Sequence, residues 1–214
     1  MIKLAIFDFD GTLADTMPAI VYATNKSREE VGYPPVERSY VYEHVNESTM
    51  EFIKNMHFDV SDDKKELAQK IFSKLYLDYS SEMSVPFEGI TEVVKKLRAN
   101  GIKTAVFSNK SDVVLKPTTA EMFPGLFDYV LGAGIYKAKP DKEGTNVIIN
   151  ALGADAASTV YIGDSDVDVN TAKNANTAAI GVAWGYRGHD FLAKICDNVV
   201  DTMDELYDKI VGMN

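Results

Sequence analysis

The chain of 214 residues has a single cysteine, Cys196. No intrachain disulfide can form, so stability must come from packing, and a reducing compartment, the cytoplasm, is the simpler setting. Cys196 follows Ile195 and reads as a small core residue without chemistry of its own. Nowhere do about 18 apolar residues run together, which excludes a helical membrane span. The N-terminal apolar run stops at Asp8, has only Lys3 before it and lacks a small-residue cleavage pattern, so it does not read as a signal peptide. Positive charge is scarce: 22 Lys and Arg against 32 Asp and Glu leave a net charge of −10. Nucleic acid and an anionic membrane surface are therefore poor partners. An anionic small molecule would need local lysines, a metal ion or backbone N–H groups to overcome the overall field. There is no internal repeat and no low-complexity tract. Hydrophobic residues at 46% and charged residues at 25% are ordinary values for a folded chain.

Strand-like alternation is also missing between Thr16 and Glu82. Pro18 suits a first helical turn, and a rough helical period runs to Gly32. Met50, Phe52, Ile53 and Met56 then supply one apolar face, and Leu67, Ile71, Leu75 and Tyr79 another, with Ser61 placed to begin that last helix. The expectation is an all-helical unit over residues 16–83, inserted into a core made of residues 1–15 and 84–214.

What the rest of the chain contains is strands. Leu4-Ala-Ile-Phe7, Thr104-Ala-Val-Phe107, Tyr129-Val-Leu131, Thr159-Val-Tyr-Ile162, Ala178-Ala-Ile180 and Val199-Val200 are short apolar runs separated by helical stretches. Runs of this kind suit strands buried on both faces, and their alternation with helices predicts an α/β fold, a Rossmann-like parallel sheet with helices on both faces. Ligands of such sheets bind outside the carboxyl ends of the strands. The residues there are Asp8, Asp10 and Gly11, then Ser108 and Asn109, then Lys139, then Asp164, Asp166 and Asp168. Asp8 and Asp10 leave the strand on the same side, where two carboxylates repel each other unless a cation lies between them. Taken singly, Ser108 and Asn109 could begin a helix, Lys139 could be a solvated lysine, and Asp164 to Asp168 could cap the helix that follows. Together, on one sheet edge, carboxylates, a hydroxyl and a lysine suit Mg²⁺-assisted phosphoryl transfer.

These residues carry a family resemblance. The stretches D-F-D-G-T-L-A-D-T from Asp8, F-S-N-K at Phe107–Lys110, Lys139-Pro140, and G-D-S-D-V-D from Gly163 are similar to those of the haloacid dehalogenase superfamily. The whole chain resembles its phosphoglycolate phosphatase-like members with a helical cap, and Val182-Ala-Trp-Gly185 resembles a further stretch of theirs. Asn176 departs from the glycine often found there, although Asn tolerates left-handed backbone angles. The resemblance implies that Asp8 is the nucleophile and Asp10 the general acid and base. It implies Mg²⁺ on Asp8, the Asp10 main-chain carbonyl and Asp164, with Asp168 behind them. It further implies a phosphate held by Gly11, Ser108, Asn109 and Lys139, and a cap that closes over the site with hinges near Thr16 and Val85-Pro86. Arg38, His44, Asn46 and Lys54 of the cap and Arg187 of the core are candidates for meeting the substrate, although each reads first as a solvated surface residue.

The implied function is hydrolysis of a small phosphate ester, phosphoglycolate first, by a monomer or homodimer. A sugar-phosphate mutase, a pyrophosphatase or nucleotidase, and a catalytically silent phosphate-binding protein are the alternatives. Mutases of this type usually carry a histidine where this chain has Ile20, and a Gly and Arg in the cap where it has His44-Val-Asn-Glu-Ser48. Dehalogenases lack the second aspartate, which Asp10 supplies here. Signalling receiver domains place their phosphorylated aspartate after the third strand rather than the first.

Overall fold

Leu4–Phe7 forms the central strand, β1, of the computed structural model, which describes residues 1–213. A tight loop leads from it to β2 (Ala14–Asp15). Four helices follow: α1 (Met17–Glu30), α2 (Arg38–His44), α3 (Thr49–Met56) and α4 (Asp62–Tyr79). After β3 (Val85–Pro86) come α5 (Ile90–Ala99), β4 (Lys103–Ser111), α6 (Asp112–Met122), β5 (Tyr129–Ala133) and α7 (Glu143–Ala151). The remainder is β6 (Thr159–Gly163), α8 (Asp166–Asn174), β7 (Ala178–Val182), α9 (His189–Leu192), β8 (Val199–Val200) and α10 (Met203–Gly212). The chain divides into two units, residues 1–15 with 86–214, and residues 16–85. No helix among the described residues is long and apolar enough to cross a membrane.

The larger unit is the α/β fold expected from the apolar runs. Six parallel strands lie in the order β5-β4-β1-β6-β7-β8, with β1 between Lys103–Val106 and Thr159–Ile162. Alternate residues of β1 feed two cores. Ala5 and Phe7 pack with Val93, Val94 and Leu97 of α5 and Leu206 and Ile210 of α10. Leu4 and Ile6 pack on the opposite face with Ile148 and Ile149 of α7 and Ala172 of α8. This two-sided burial explains why β1 has no polar residue until Asp8. β4 differs from the expectation that it ends at Phe107: it continues to Ser111, re-pairing with Ala133 after a register shift. Its extension alternates buried Ser108 and Lys110 with half-buried Asn109 and Ser111. Asn176 does take a positive φ, 56°.

In the helical unit, the polar-rich stretch from Val36 divides at Ser48 and Ser61, which begin α3 and α4. The buried face of α4 is Ala68 and Phe72, whereas Leu67 is exposed. Phe72 packs against Phe52 and Tyr76, and the rest of the expected row is half-buried, Ile71 beside Ala68 and Tyr79 edge-on to the Tyr22 ring. Buried Arg28 is the polar centre of this unit. It donates to both Asp59 carboxylate oxygens (2.8 and 2.9 Å), to Met56 O and to Pro34 O (both 2.7 Å).

Candidate active site

The site grows from the end of β1. Asp8 donates its N–H to Ile162 O of β6 at 2.8 Å, so the strand is still paired where its first carboxylate appears. The chain then doubles back: Phe9 O accepts from the N–H groups of Thr12, Leu13 and Ala14 at 3.3, 3.0 and 3.1 Å. Gly11 turns this loop at φ +78°, and a Cβ there would lie 2.5 Å from Asp164 Oδ2. Its backbone is therefore pressed against a carboxylate that arrives from the end of β6.

Lys139, in the segment between β5 and α7, joins two more carboxylates. Its Nζ lies 2.8 Å from Asp8 Oδ1 and donates to Asp168 Oδ1 at 2.7 Å, with both carboxylates and the ammonium buried. Asp8 Oδ1 is a buried oxygen whose one close partner is this ammonium, in an ion pair. The Tyr161 ring lies beneath the ammonium, 5.7 Å away. Asn109 fixes the lysine's main chain: its Oδ1 accepts from Lys139 N–H (2.7 Å) and its Nδ2 donates to Lys139 O (3.2 Å). Asp168 is fixed by the start of α8, where Ser165 N–H and Oγ–H donate to Asp168 Oδ2 at 3.1 and 2.6 Å. The capping reading of the last acidic cluster and its place in the site thus both describe Asp168, one oxygen for each.

Asp164 accepts from Thr12 Oγ1 (3.1 Å) and from Tyr186 N–H (2.7 Å). Gly185 packs so closely that a Cβ there would collide with Asp164 Cβ and Gly11 O. Asp8, Asp164 and Asp168 each offer an oxygen within 4.8 Å of the others. Burial, then the neighbouring Asp168, pushes the Asp8 carboxyl up to about 7 despite Lys139. Burial, then Asp168 and Asp8, pushes Asp164 well above the usual carboxylate range. Burial would lower Lys139, but Asp168 and Asp8 outweigh it and hold the ammonium well above its ordinary value. Three crowded carboxylates, of which only Asp8 and Asp168 share an ammonium, have the donor chemistry of a site for a hard divalent cation.

The remaining expected residues fall around this cluster. Asp10 Oδ1 lies 3.3 Å from Lys110 Nζ, and the Lys110 side chain is wholly buried. Ser108 is buried and accepts from Lys110 N–H at 3.2 Å, which leaves its own O–H to donate elsewhere. Asn109 uses its side chain on Lys139 rather than presenting it freely. Arg187 lies 3.7 Å from Asp166 Oδ1 and over the Phe191 ring. In the helical unit His44 pairs with Glu47 at 2.7 Å, and Arg38 donates to Tyr42 at 3.3 Å.

A conserved-family profile described as haloacid dehalogenase-like hydrolase matches residues 5–182, and the chain belongs to that hydrolase family. Among curated proteins, it is 28% identical over 213 residues to a phosphoglycolate phosphatase of Pseudomonas putida, with 95% of this chain and 78% of that one covered. Among solved structures, it superposes with a TM-score of 0.89 on a Lactobacillus delbrueckii subsp. bulgaricus protein provisionally named a phosphoglycolate phosphatase. That match is 30% identical and covers 97% of this chain and 98% of that one. A Thermotoga maritima protein provisionally named a beta-phosphoglucomutase shares the fold at 20% identity and a TM-score of 0.79, with full coverage of both chains.

Residues for which sequence alone indicated no role, some of them inside its motifs, complete the site. Thr12 and the Tyr186 N–H hold Asp164, Tyr161 supports Lys139, and Trp184 Nε1 donates to Thr12 O at 3.1 Å. Lys110 stands two residues after Ser108, the same spacing that relates Asp8 to Asp10, and that periodicity was the signal available for it. A main-chain donor such as Tyr186 N–H leaves no trace in residue identity.

Proposed function

We propose that the chain is a Mg²⁺-dependent phosphatase that hydrolyses a small phosphorylated metabolite through a phosphoryl group carried on Asp8. Phosphoglycolate, the substrate named for its curated relatives, is the first choice. The observation that carries this reading is the Asp8–Lys139–Asp168 contact beside Asp164 at one sheet edge. Asp8, the Asp10 main-chain carbonyl and Asp164 would hold the ion, with Asp168 behind them; when bound, it supplies Lewis-acid polarisation of the phosphoryl oxygens.

Asp8 then has the place of the attacking carboxylate. Its oxygen forms a bond to phosphorus while the ester P–O bond breaks, and Asp10 gives the leaving oxygen its proton. In the second half, Asp10 takes a proton from water, the water oxygen attacks phosphorus, and Asp8 is released. Lys139, held in line by Asn109 and Asp168, balances charge on the phosphoryl oxygens, and the Ser108 O–H donates to one of them. The helical unit serves as the cap.

The Thermotoga protein shares the fold, so that match does not separate hydrolysis from the mutase alternative. Ile20 and the His44–Ser48 stretch favour hydrolysis. Phosphate release from a panel of alkyl phosphates, nucleotides and pyrophosphate, with Mg²⁺ or with chelator, tests the proposal. Chelator-sensitive release that strongly favours one ester is expected. Equal inertness of the wild type and Asp8→Asn on every compound would overturn it.

A further inference from the structure

Tyr161 of β6 carries a hydroxyl into an otherwise apolar core, and that hydroxyl demands an account. The residue is 1% exposed and packs in the cluster of Leu4, Ile6 and Ile148. Its ring meets the Phe107 ring edge-on, with centroids 6.4 Å apart. A phenylalanine would serve that packing equally, whereas a buried hydroxyl costs free energy unless it is hydrogen-bonded. The partner it finds is main chain: Tyr161 Oη–H donates to Phe107 O at 2.7 Å.

The place of that carbonyl gives the hydrogen bond its meaning. β1 pairs with β4 as far as Val106 and β5 as far as Phe107, and pairing with β5 resumes only at Ser111. Residues 108–110 fall in that gap, and among them is Ser108, the hydroxyl assigned above to a phosphoryl oxygen. The Phe107 carbonyl and the Ser108 N–H belong to one planar peptide unit, so a bond that holds the first also sets the plane from which Ser108 departs. On its other side Ser108 Oγ accepts from Lys110 N–H at 3.2 Å, which leaves the O–H as the group to be aimed. The same tyrosine ring lies 5.7 Å from the Lys139 ammonium. One buried side chain thus contacts the peptide that carries Ser108 and underlies the lysine that faces Asp8.

We infer that Tyr161 is a positioning residue for the phosphoryl group: its hydroxyl holds the Phe107–Ser108 peptide and so aims the Ser108 O–H. The inference rests on the phosphatase reading and deepens it, because it assigns the geometry of one phosphate-binding arm to a residue of the core that acts only through Ser108.

A double-variant cycle with Ser108→Ala separates this role from packing. The readouts are calorimetric binding of inorganic phosphate with Mg²⁺ present and the KM for phosphoglycolate. Tyr161→Phe keeps the ring, its place in the core and its contact with Lys139, and removes only the hydroxyl. With Ser108 in place it should weaken phosphate binding and raise KM about tenfold, the effect of weakening one hydrogen bond to a charged oxygen. In the Ser108→Ala background the same change should cost less than about twofold, because no hydroxyl remains to be aimed. Urea unfolding of all four chains checks that each is folded in the assay, and Ser108→Gly supplies the second background if the alanine variant is not. Equal weakening in both backgrounds, or none in either, would overturn the inference. A Tyr161→Phe chain that does not fold would overturn it as well, by showing that the hydroxyl serves the core. If the wild type cleaves no ester, or Asp8→Asn retains turnover, the phosphatase reading fails instead.

Discussion

Replacing Asp8 with Asn should abolish turnover and yet make the metal-free protein more stable at neutral and alkaline pH. Asp8 is buried beside Asp164 and Asp168, and its carboxyl is raised from 3.8 to about 7. Between those values the folded chain holds a proton at this position that the unfolded chain has released. Stability therefore falls as pH rises through the interval, and this contribution is fully lost above about 7. At about 1.4 kcal/mol per pH unit, ionising Asp8 in the folded, metal-free chain costs on the order of 4 kcal/mol. An amide avoids this cost but weakens one contact to Lys139, which keeps Asp168 at 2.7 Å. A net gain of about 2 kcal/mol at pH 8 would raise the unfolding midpoint by about 4–8 °C for a chain of this size. The assay is thermal and urea unfolding in chelator from pH 5 to 8, repeated with Mg²⁺. The variant should be less pH-sensitive than the wild type and should gain less from the ion, because a bound cation relieves the same repulsion in the wild type. A variant less stable than the wild type at pH 8 in chelator, or a difference unchanged between pH 5 and 8, would refute the reasoning.

Lys139→Met should reduce turnover by at least about 100-fold. In unfolding experiments it should cost the metal-free protein about 3–5 kcal/mol at pH 8, since buried Asp8 and Asp168 lose their ammonium. That cost should shrink at pH 5, where Asp8 is protonated. Gly185→Ala should weaken the response to Mg²⁺, measured by titration of activity, because the new Cβ displaces Asp164 and the Gly11 carbonyl. In the helical unit, Arg28→Met should cost about 3 kcal/mol by urea unfolding, because it strips the donors from Asp59, Met56 O and Pro34 O.

The parallel sheet could be read directly because its strands are buried on both faces. Burial of that kind leaves unbroken runs such as Leu4–Phe7 and Thr159–Ile162, and the polar residues that end them stand at the ligand-binding edge. Asp8, Lys139, Asp164 and Asp168 could be grouped from the sequence because a parallel sheet brings its strand ends to one edge. The helical unit was less legible. A row at i, i+4 identifies a helix but not how deeply each row is covered: Ala68 and Phe72 are buried, Ile71, Leu75 and Tyr79 half-buried, and Leu67 exposed. Asn109 illustrates another limit. Its position at the site was legible, but its grip on Lys139 depends on where a loop thirty residues later comes to rest. Gly185 and Tyr186 act through main-chain proximity to Asp164, which residue identity hardly records.

The central claim is that Asp8 carries the phosphoryl group in a metal-dependent cycle, and the most direct test is to look for it there. Enzyme mixed with phosphoglycolate and Mg²⁺, quenched in acid within the first turnovers and mapped by mass spectrometry, should show phosphorylation on the peptide containing Asp8. The modification should be absent in chelator and in Asp8→Asn, which should also release no phosphate. Undiminished phosphate release by Asp8→Asn, or a phosphoryl group trapped on a different residue, would contradict the account.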